Sequence, residues 1–174
     1  MQAHLSRAAA LLLLAACCFI AACELEEGVD GSGSSTLERA EVVRVVDGDT
    51  VIVRLDGREE RLRYIGIDAP ESVNPDAPVE CFGPEASDEN RRLVDGKTVY
   101  LEPDVEDRDR FGRLLRYVYL SPDADDDDFV NLLLVAGGYA EAGNYPPNER
   151  HSDALFAAER EARESNRGLW GACR

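Results

Sequence analysis

Five charged side chains in the middle of the chain could together act on a phosphodiester bond: Asp49, Arg63, Asp68, Glu71 and Arg113. Hydrolysis of that bond requires cationic groups that neutralise the phosphoryl oxygens, a positioned water and a stabilised leaving oxygen. Carboxylates suit a hard cation such as Ca²⁺, and the planar guanidinium of arginine matches a phosphate. Two aspartates, one glutamate and two arginines can therefore supply every requirement.

Taken alone, each of these residues has an ordinary structural explanation. Asp49 belongs to an Asp-Gly turn, where aspartate is common, and Arg63 lies in a predicted strand, where an arginine usually faces solvent. Arg63 and Asp68 are five positions apart, which places them on opposite faces of a regular strand. They converge only if Asp68 lies beyond the strand end, as Pro70 permits, because proline does not continue a central strand.

The elements that must position these residues are predicted from hydrophobic patterns and turn signals. Two Asp-Gly pairs separate three runs rich in β-branched residues, which indicates a three-stranded meander. The predicted strands span 40–46, 50–55, 60–67, 99–101 and 114–120, and the predicted helices span 83–94, 130–136 and 149–163. This pattern predicts an α+β fold, namely a five-stranded, partly open OB-fold (oligonucleotide-binding) β-barrel with three helices.

The order and spacing of these motifs resemble the staphylococcal nuclease, or thermonuclease, family over about residues 38–171. The segments that carry the resemblance are 46–50, 63–71, 83–87, 107–113 and 169–170. The resemblance implies a nuclease that hydrolyses phosphodiester bonds of DNA, RNA or both. It also implies Ca²⁺ as the cofactor and products that end in a 3′-phosphate.

The resemblance assigns a metal site to three residues. The two metal-binding aspartates of the family correspond to Asp49 and Asp68, and its backbone carbonyl ligand corresponds to Ala69. The best-known member has a threonine at this last position. Because only the carbonyl is needed, we expect the alanine to be tolerated.

The resemblance also assigns the catalytic and substrate-binding residues. Arg63 and Arg113 correspond to the phosphate-binding arginines, and Glu71 corresponds to the glutamate described as a general base or as the orienter of the attacking water. Phe111 stands where the family often has a tyrosine, so it keeps the bulk and lacks the hydroxyl. Tyr145 matches an aromatic that lines the nucleotide site. The alternative for Tyr145 is a packing role in a proline-rich turn.

Two other classes of protein are alternatives to a nuclease. The first is a non-catalytic OB-fold module that binds nucleic acid on the cell envelope. Such a module has no need for a glutamate and two aspartates beside its phosphate site. The second is a surface protein with a structural calcium ion, in which Arg63 and Arg113 would repel the cation unless a phosphate were present.

The charge of the chain limits how it can meet its substrate. Its 174 residues carry a formal net charge of −16, which is the wrong sign for attracting nucleic acid from a distance. Segment 72–80 contains no lysine, although the best-known family member is lysine-rich there. We therefore expect weak affinity, with little salt dependence beyond the two site arginines. No protein partner is implied, and a monomer is expected.

The N-terminal segment has the features of an export signal. Arg7 precedes an apolar run that is shorter than the roughly 20 residues of a membrane-spanning helix. The run ends at Cys23 in a sequence that resembles a bacterial lipoprotein box, although Cys17 fits the same pattern and an uncleaved anchor is a further alternative. We expect a lipoprotein-type signal peptide at 1–22, a flexible linker at 23–36 and a folded domain at 37–174. The protein would be exported, either anchored to the membrane through lipid on Cys23 or secreted.

The remaining cysteines of the mature chain are Cys81 and Cys173. Thiols in an oxidising compartment commonly pair. We therefore expect a disulfide between them, with two free thiols as the alternative.

The lipidation site is testable by metabolic labelling with palmitate. We expect label to survive Cys17→Ser and to be lost in Cys23→Ser, because only the cysteine at the cleavage point is acylated. A soluble, unlabelled product would contradict a lipid anchor.

Overall fold

The structure is a computed structural model that describes residues 37–73 and 78–173. The predicted signal peptide, the linker and both candidate lipidation cysteines, Cys17 and Cys23, lie outside the described residues. Within the described residues, no helix has the length and apolar character needed to cross a membrane.

The strands of the described residues are β1 (Glu38–Val45), β2 (Thr50–Leu55), β3 (Arg58–Tyr64), β4 (Ile67–Asp68), β5 (Thr98–Glu102), β6 (Leu114–Tyr119) and β7 (Glu141–Ala142). Five of them close a barrel in the order β1-β2-β3-β6-β5, while β4 and β7 pair separately. Neighbouring barrel strands are antiparallel except β3 and β6, which run parallel. The α+β class and the five-stranded OB-fold barrel are confirmed. The barrel is closed, where the sequence predicted a partly open one.

The helices of the described residues are α1 (Gly83–Val94), α2 (Val130–Ala136), α3 (Ser152–Glu164) and α4 (Leu169–Ala172), with a 3₁₀ turn at Asp126–Asp128. The three predicted helices are confirmed. Pro84 lies in the first turn of α1, where its missing N–H costs no hydrogen bond. The four-residue α4 was not predicted, because so short a segment shows no helical periodicity.

The core fills the barrel and continues beneath it against the helices. Along β2, Val51 and Val53 are fully buried, since alternate residues of a strand face the barrel interior. Leu134 of α2 and Leu155 of α3 are equally buried. Each such side chain contributes about 1.5–3 kcal/mol through removal of apolar surface from water. The barrel is therefore a rigid support for the polar residues at its rim.

A turn after β3 places Asp68 close to Arg63. The strand ends at Tyr64, three residues earlier than predicted, and the chain turns through Ile65 and Gly66. Gly66 has a φ of +77°, a conformation that glycine adopts without steric cost. In one regular strand Arg63 and Asp68 would lie on opposite faces. Because Asp68 belongs to a separate strand, β4, the two side chains can meet.

Cys81 and Cys173 are joined by a disulfide that links the segment before α1 to the end of α4. Next to it, the ring of Phe82 stacks on that of Tyr139 at 5.6 Å. The N–H of Leu169 donates to the carbonyl of Gly138 at 2.9 Å. The disulfide thus fastens the C-terminal helix beside the start of α1.

We expect replacement of either cysteine by serine to lower the free energy of unfolding. The bridge encloses a sequence separation of 92 residues, for which the chain-entropy model gives about 4–5 kcal/mol. Urea denaturation of the mature protein measures this loss. Reduced wild-type protein is the control and should match the Cys81→Ser variant. Alkylation of both thiols in native, non-reduced protein would contradict the pairing.

Candidate active site

A cavity of about 760 Å³ lies at the rim of the barrel. It is walled by the start of β2, by β3, and by the loops that follow β4, precede β6 and follow β7. Every residue predicted for catalysis, metal binding or substrate binding lines it: Asp49, Arg63, Asp68, Ala69, Glu71, Phe111, Arg113 and Tyr145. The fold thus brings together residues that are up to 96 positions apart in the sequence.

Asp49 is a buried carboxylate that joins two walls of the cavity. Its side chain is 4 % exposed. Its Oδ1 accepts a hydrogen bond from the hydroxyl of Thr50 at 3.0 Å, and its Oδ2 accepts one from the N–H of Ala69 at 2.7 Å. Buried charges require such partners, since desolvation otherwise favours the neutral form. Asp49 therefore fixes the backbone of Ala69 relative to β2.

Arg63 lies between the two predicted metal-binding aspartates. Its guanidinium forms ion pairs with Asp49 and with Asp68, the latter at 2.6 Å. It also donates to the carbonyl of Ile67 at 3.0 Å and to the hydroxyl of Tyr145 at 3.3 Å. Its side chain is 11 % exposed, whereas that of Asp68 is 70 % exposed. Two carboxylates thus converge on one positive group at the cavity wall.

Tyr145 reaches the cavity from the loop after β7. Its hydroxyl donates to the carbonyl of Ile67 at 3.2 Å while it accepts from Arg63. Tyr145 also lines the cavity. These contacts place Tyr145 within the Arg63 network, in addition to any packing role in its turn.

Glu71 is held by the segment that leads into α1. The N–H of Glu71 donates to Oε2 of Glu80 at 2.9 Å, and its carbonyl accepts from the N–H of Glu80 at 2.8 Å. Its own Oε1 accepts from the N–H of Val73 at 2.7 Å. A Cβ at Gly83 would lie 2.6 Å from the carbonyl oxygen of Glu71. Only glycine at this position lets α1 begin so close to the glutamate.

Arg113 is held by Asp109 on the loop before β6. Its Nε donates to Oδ2 of Asp109 at 2.6 Å, and Oδ1 accepts the N–H groups of Phe111 and Arg113, each at 2.9 Å. Burial alone raises the pKa of Asp109, but these bonds outweigh it and leave the pKa below its usual value. Asp109 therefore stays ionised and keeps the loop in one conformation.

Phe111 stands exposed at the edge of the cavity. Its relative exposure of 69 % is unusual for a large apolar side chain. The guanidinium carbons of Arg110 and Arg113 lie 4.6 Å and 5.5 Å from the centre of its ring. An aromatic face flanked by two cations suits a nucleobase and its phosphate.

The charged residues of the cavity that the sequence analysis did not assign to the site include Asp47, Arg61 and Arg110. Burial is the main cause of the raised pKa of Asp47, and the nearby Glu71 adds to it, while Thr50 and Arg63 oppose it. The sequence signal for Asp47 was that the turn Asp47-Gly48-Asp49 contains a further acid besides Asp49. The signal for Arg61 was its position two residues before Arg63, which puts both on one strand face.

The oxygen atoms offered at this site are of the kind that a hard cation prefers. Asp49 and Asp68 offer carboxylate oxygens and Ala69 offers a carbonyl, which are the donors that Ca²⁺ prefers. Both carboxylates already reach one positive group, Arg63. Among the described residues, no group of three or more His, Cys, Asp or Glu side chains is placed to hold a metal ion. Water and substrate would therefore have to complete the coordination.

The fold and the site together define a class: an OB-fold protein with acidic and guanidinium groups arranged around one cavity at the barrel rim. The family model for staphylococcal nuclease homologues matches residues 61–172. The chain belongs to this family.

Individual relatives agree with the family match. The chain is 37 % identical over 140 residues to the thermonuclease of Staphylococcus hyicus, which covers 80 % of each chain. It is 39 % identical over 149 residues to the thermonuclease of Staphylococcus intermedius, covering 82 % of this chain and 86 % of the relative. It is 36 % identical over 128 residues to endonuclease YncB of Bacillus subtilis strain 168, covering 73 % of this chain and 59 % of the relative.

Proposed function

We propose that this chain is an exported, Ca²⁺-dependent nuclease that hydrolyses DNA, RNA or both and leaves 3′-phosphate ends. The observation that carries the proposal is the convergence of Asp49 and Asp68 on one positive group, in a cavity that also contains Glu71 and Arg113. The names of the relatives, thermonuclease and endonuclease, support a nucleic acid as substrate. Export is supported by the N-terminal sequence motif alone.

In this proposal the cation is held by Asp49, Asp68 and the carbonyl of Ala69. When bound, Ca²⁺ supplies positive charge for the phosphoryl oxygens and a position for water. Asp49 and Asp68, which now pair with Arg63, would hold the cation instead. The guanidinium of Arg63 would then donate to a phosphate oxygen, for which its planar geometry is suited.

The chemical step follows from the remaining charges. Glu71 orients a water molecule and accepts its proton as the oxygen attacks phosphorus. Arg63 and Arg113 donate to the phosphoryl oxygens, where negative charge increases in the transition state. The bond from phosphorus to the 5′-oxygen breaks, so hydroxyl adds to phosphorus and a proton ends on the 5′-oxygen. The products are a 3′-phosphate and a 5′-hydroxyl.

The metal requirement is tested by digesting DNA and RNA with Ca²⁺, with Mg²⁺ and with chelator. We expect turnover with Ca²⁺ and little with Mg²⁺, since Mg²⁺ demands tight octahedral geometry and retains its waters. End-group analysis should find 3′-phosphates. Full turnover in chelator would exclude the metal-dependent mechanism.

The catalytic assignment is tested with Glu71→Gln, Arg63→Ala and Arg113→Ala. Each should lower kcat by on the order of a hundredfold or more, because each removes an acid–base or charge-stabilising group. The matched controls are Glu164→Gln and Arg58→Ala, which change exposed residues outside the cavity. Circular dichroism should show that all five variants fold, with a lower melting temperature for Arg63→Ala because it leaves Asp49 buried without its ion pair. Wild-type rates in the three site variants would refute the assignment.

A further inference from the structure

Arg61 belongs to the same wall of the cavity as Arg63 and Arg113. Arg61 and Arg63 are two residues apart on β3, so their side chains leave the same face of the strand. The parallel pairing of β3 with β6 sets Leu62 opposite Leu114. Arg61 and Arg113 each precede one of these leucines, so they lie at the same end of the pair. Three guanidinium groups therefore share one wall.

The three arginines differ in their partners. Arg63 is paired with Asp49 and Asp68, and Arg113 is paired with Asp109. Across residues 37–73 and 78–173, no carboxylate forms an ion pair with Arg61, whose side chain is exposed at the cavity.

The acid next to Arg61 does not neutralise it. Glu60 leaves the opposite face of β3 and is bonded to Arg108 at 2.9 Å. Within the described residues, the charge of Arg61 has no carboxylate partner of its own, and an anion bound at this wall would balance it.

We propose that Arg61 binds the phosphate next to the one that is cleaved, so that the substrate is a polynucleotide strand and not an isolated phosphodiester. Two residues along a strand span about 6.6 Å. Arg61 and Arg63 are thus placed to meet successive phosphates of a single strand that follows this wall, as strands do in the grooves that bind them. Arg63 and Arg113 face the scissile phosphate, and Arg61, two residues before Arg63 on the same strand face, faces the neighbouring one. This inference rests on the proposed function.

The first test measures binding without cleavage. A fluorescent single-stranded 20-nucleotide DNA is titrated in Ca²⁺ against the Glu71→Gln protein, with and without Arg61→Ala, over a series of NaCl concentrations. Arg61→Ala should weaken binding about three- to tenfold and reduce the logarithmic salt slope by about 0.7, the value for one phosphate contact on a single strand. Arg58→Ala, which removes the same charge from the same strand outside the cavity, should change neither quantity. Arg61→Lys should keep the slope.

The second test separates strand binding from the chemical step. Michaelis constants are compared for the 20-nucleotide DNA and for bis(p-nitrophenyl) phosphate, which has a single phosphodiester. The increase caused by Arg61→Ala should be at least threefold larger for the DNA. Equal increases for both substrates, equal effects of Arg58→Ala and Arg61→Ala, or an unchanged salt slope would each overturn the inference. Absence of wild-type turnover on both substrates would instead refute the proposed function, and the binding measurement would still decide the role of Arg61.

Discussion

The ion pairs of Arg63 with Asp49 and Asp68 connect the parts of the molecule that form the cavity. Asp49 precedes β2, Arg63 belongs to β3 and Asp68 to β4, and Tyr145 adds the loop after β7. Removing one member of a buried ion pair lowers the stability of the fold by about 3–5 kcal/mol, because the remaining charge is then buried without a partner. The guanidinium therefore stabilises the fold and also places two carboxylates at one point. The same arrangement that compensates buried charge creates a position suited to a cation.

The two loops that bring the other functional groups are fixed by local bonds of their own. Glu71 is bonded to Glu80 through its backbone, and Arg113 is bonded to Asp109. Neither set of bonds involves Arg63. The barrel supplies the platform, and each loop carries its own restraint, so the geometry of the site does not depend on one continuous network. Such prior positioning lowers the cost of assembling the groups around a phosphate.

Much of the fold and the site could be predicted from the sequence, since hydrophobic alternation and Asp-Gly turns determine most strands locally. The prediction failed where the structure depends on distant contacts. β3 was predicted to reach residue 67, but Gly66 turns the chain after Tyr64. The position of Arg61 two residues before Arg63 was a local signal, but its closeness to Arg113 depends on the parallel register of β3 with β6, which has none. The roles of Asp49, Arg63, Asp68, Glu71 and Arg113 came from a resemblance to a family, and the structure adds their distances and partners.

The Cys81–Cys173 bridge has a consequence for damage to the chain. A single protease cut between the two cysteines leaves both fragments covalently joined. The exposed acidic segment near Asp125 lies within this span, and exposed loops are the usual sites of nicking. The severed ends would remain attached to a barrel whose strands still pair, so the pieces would not diffuse apart. In the exported protein proposed above, this connection would keep a nicked chain assembled.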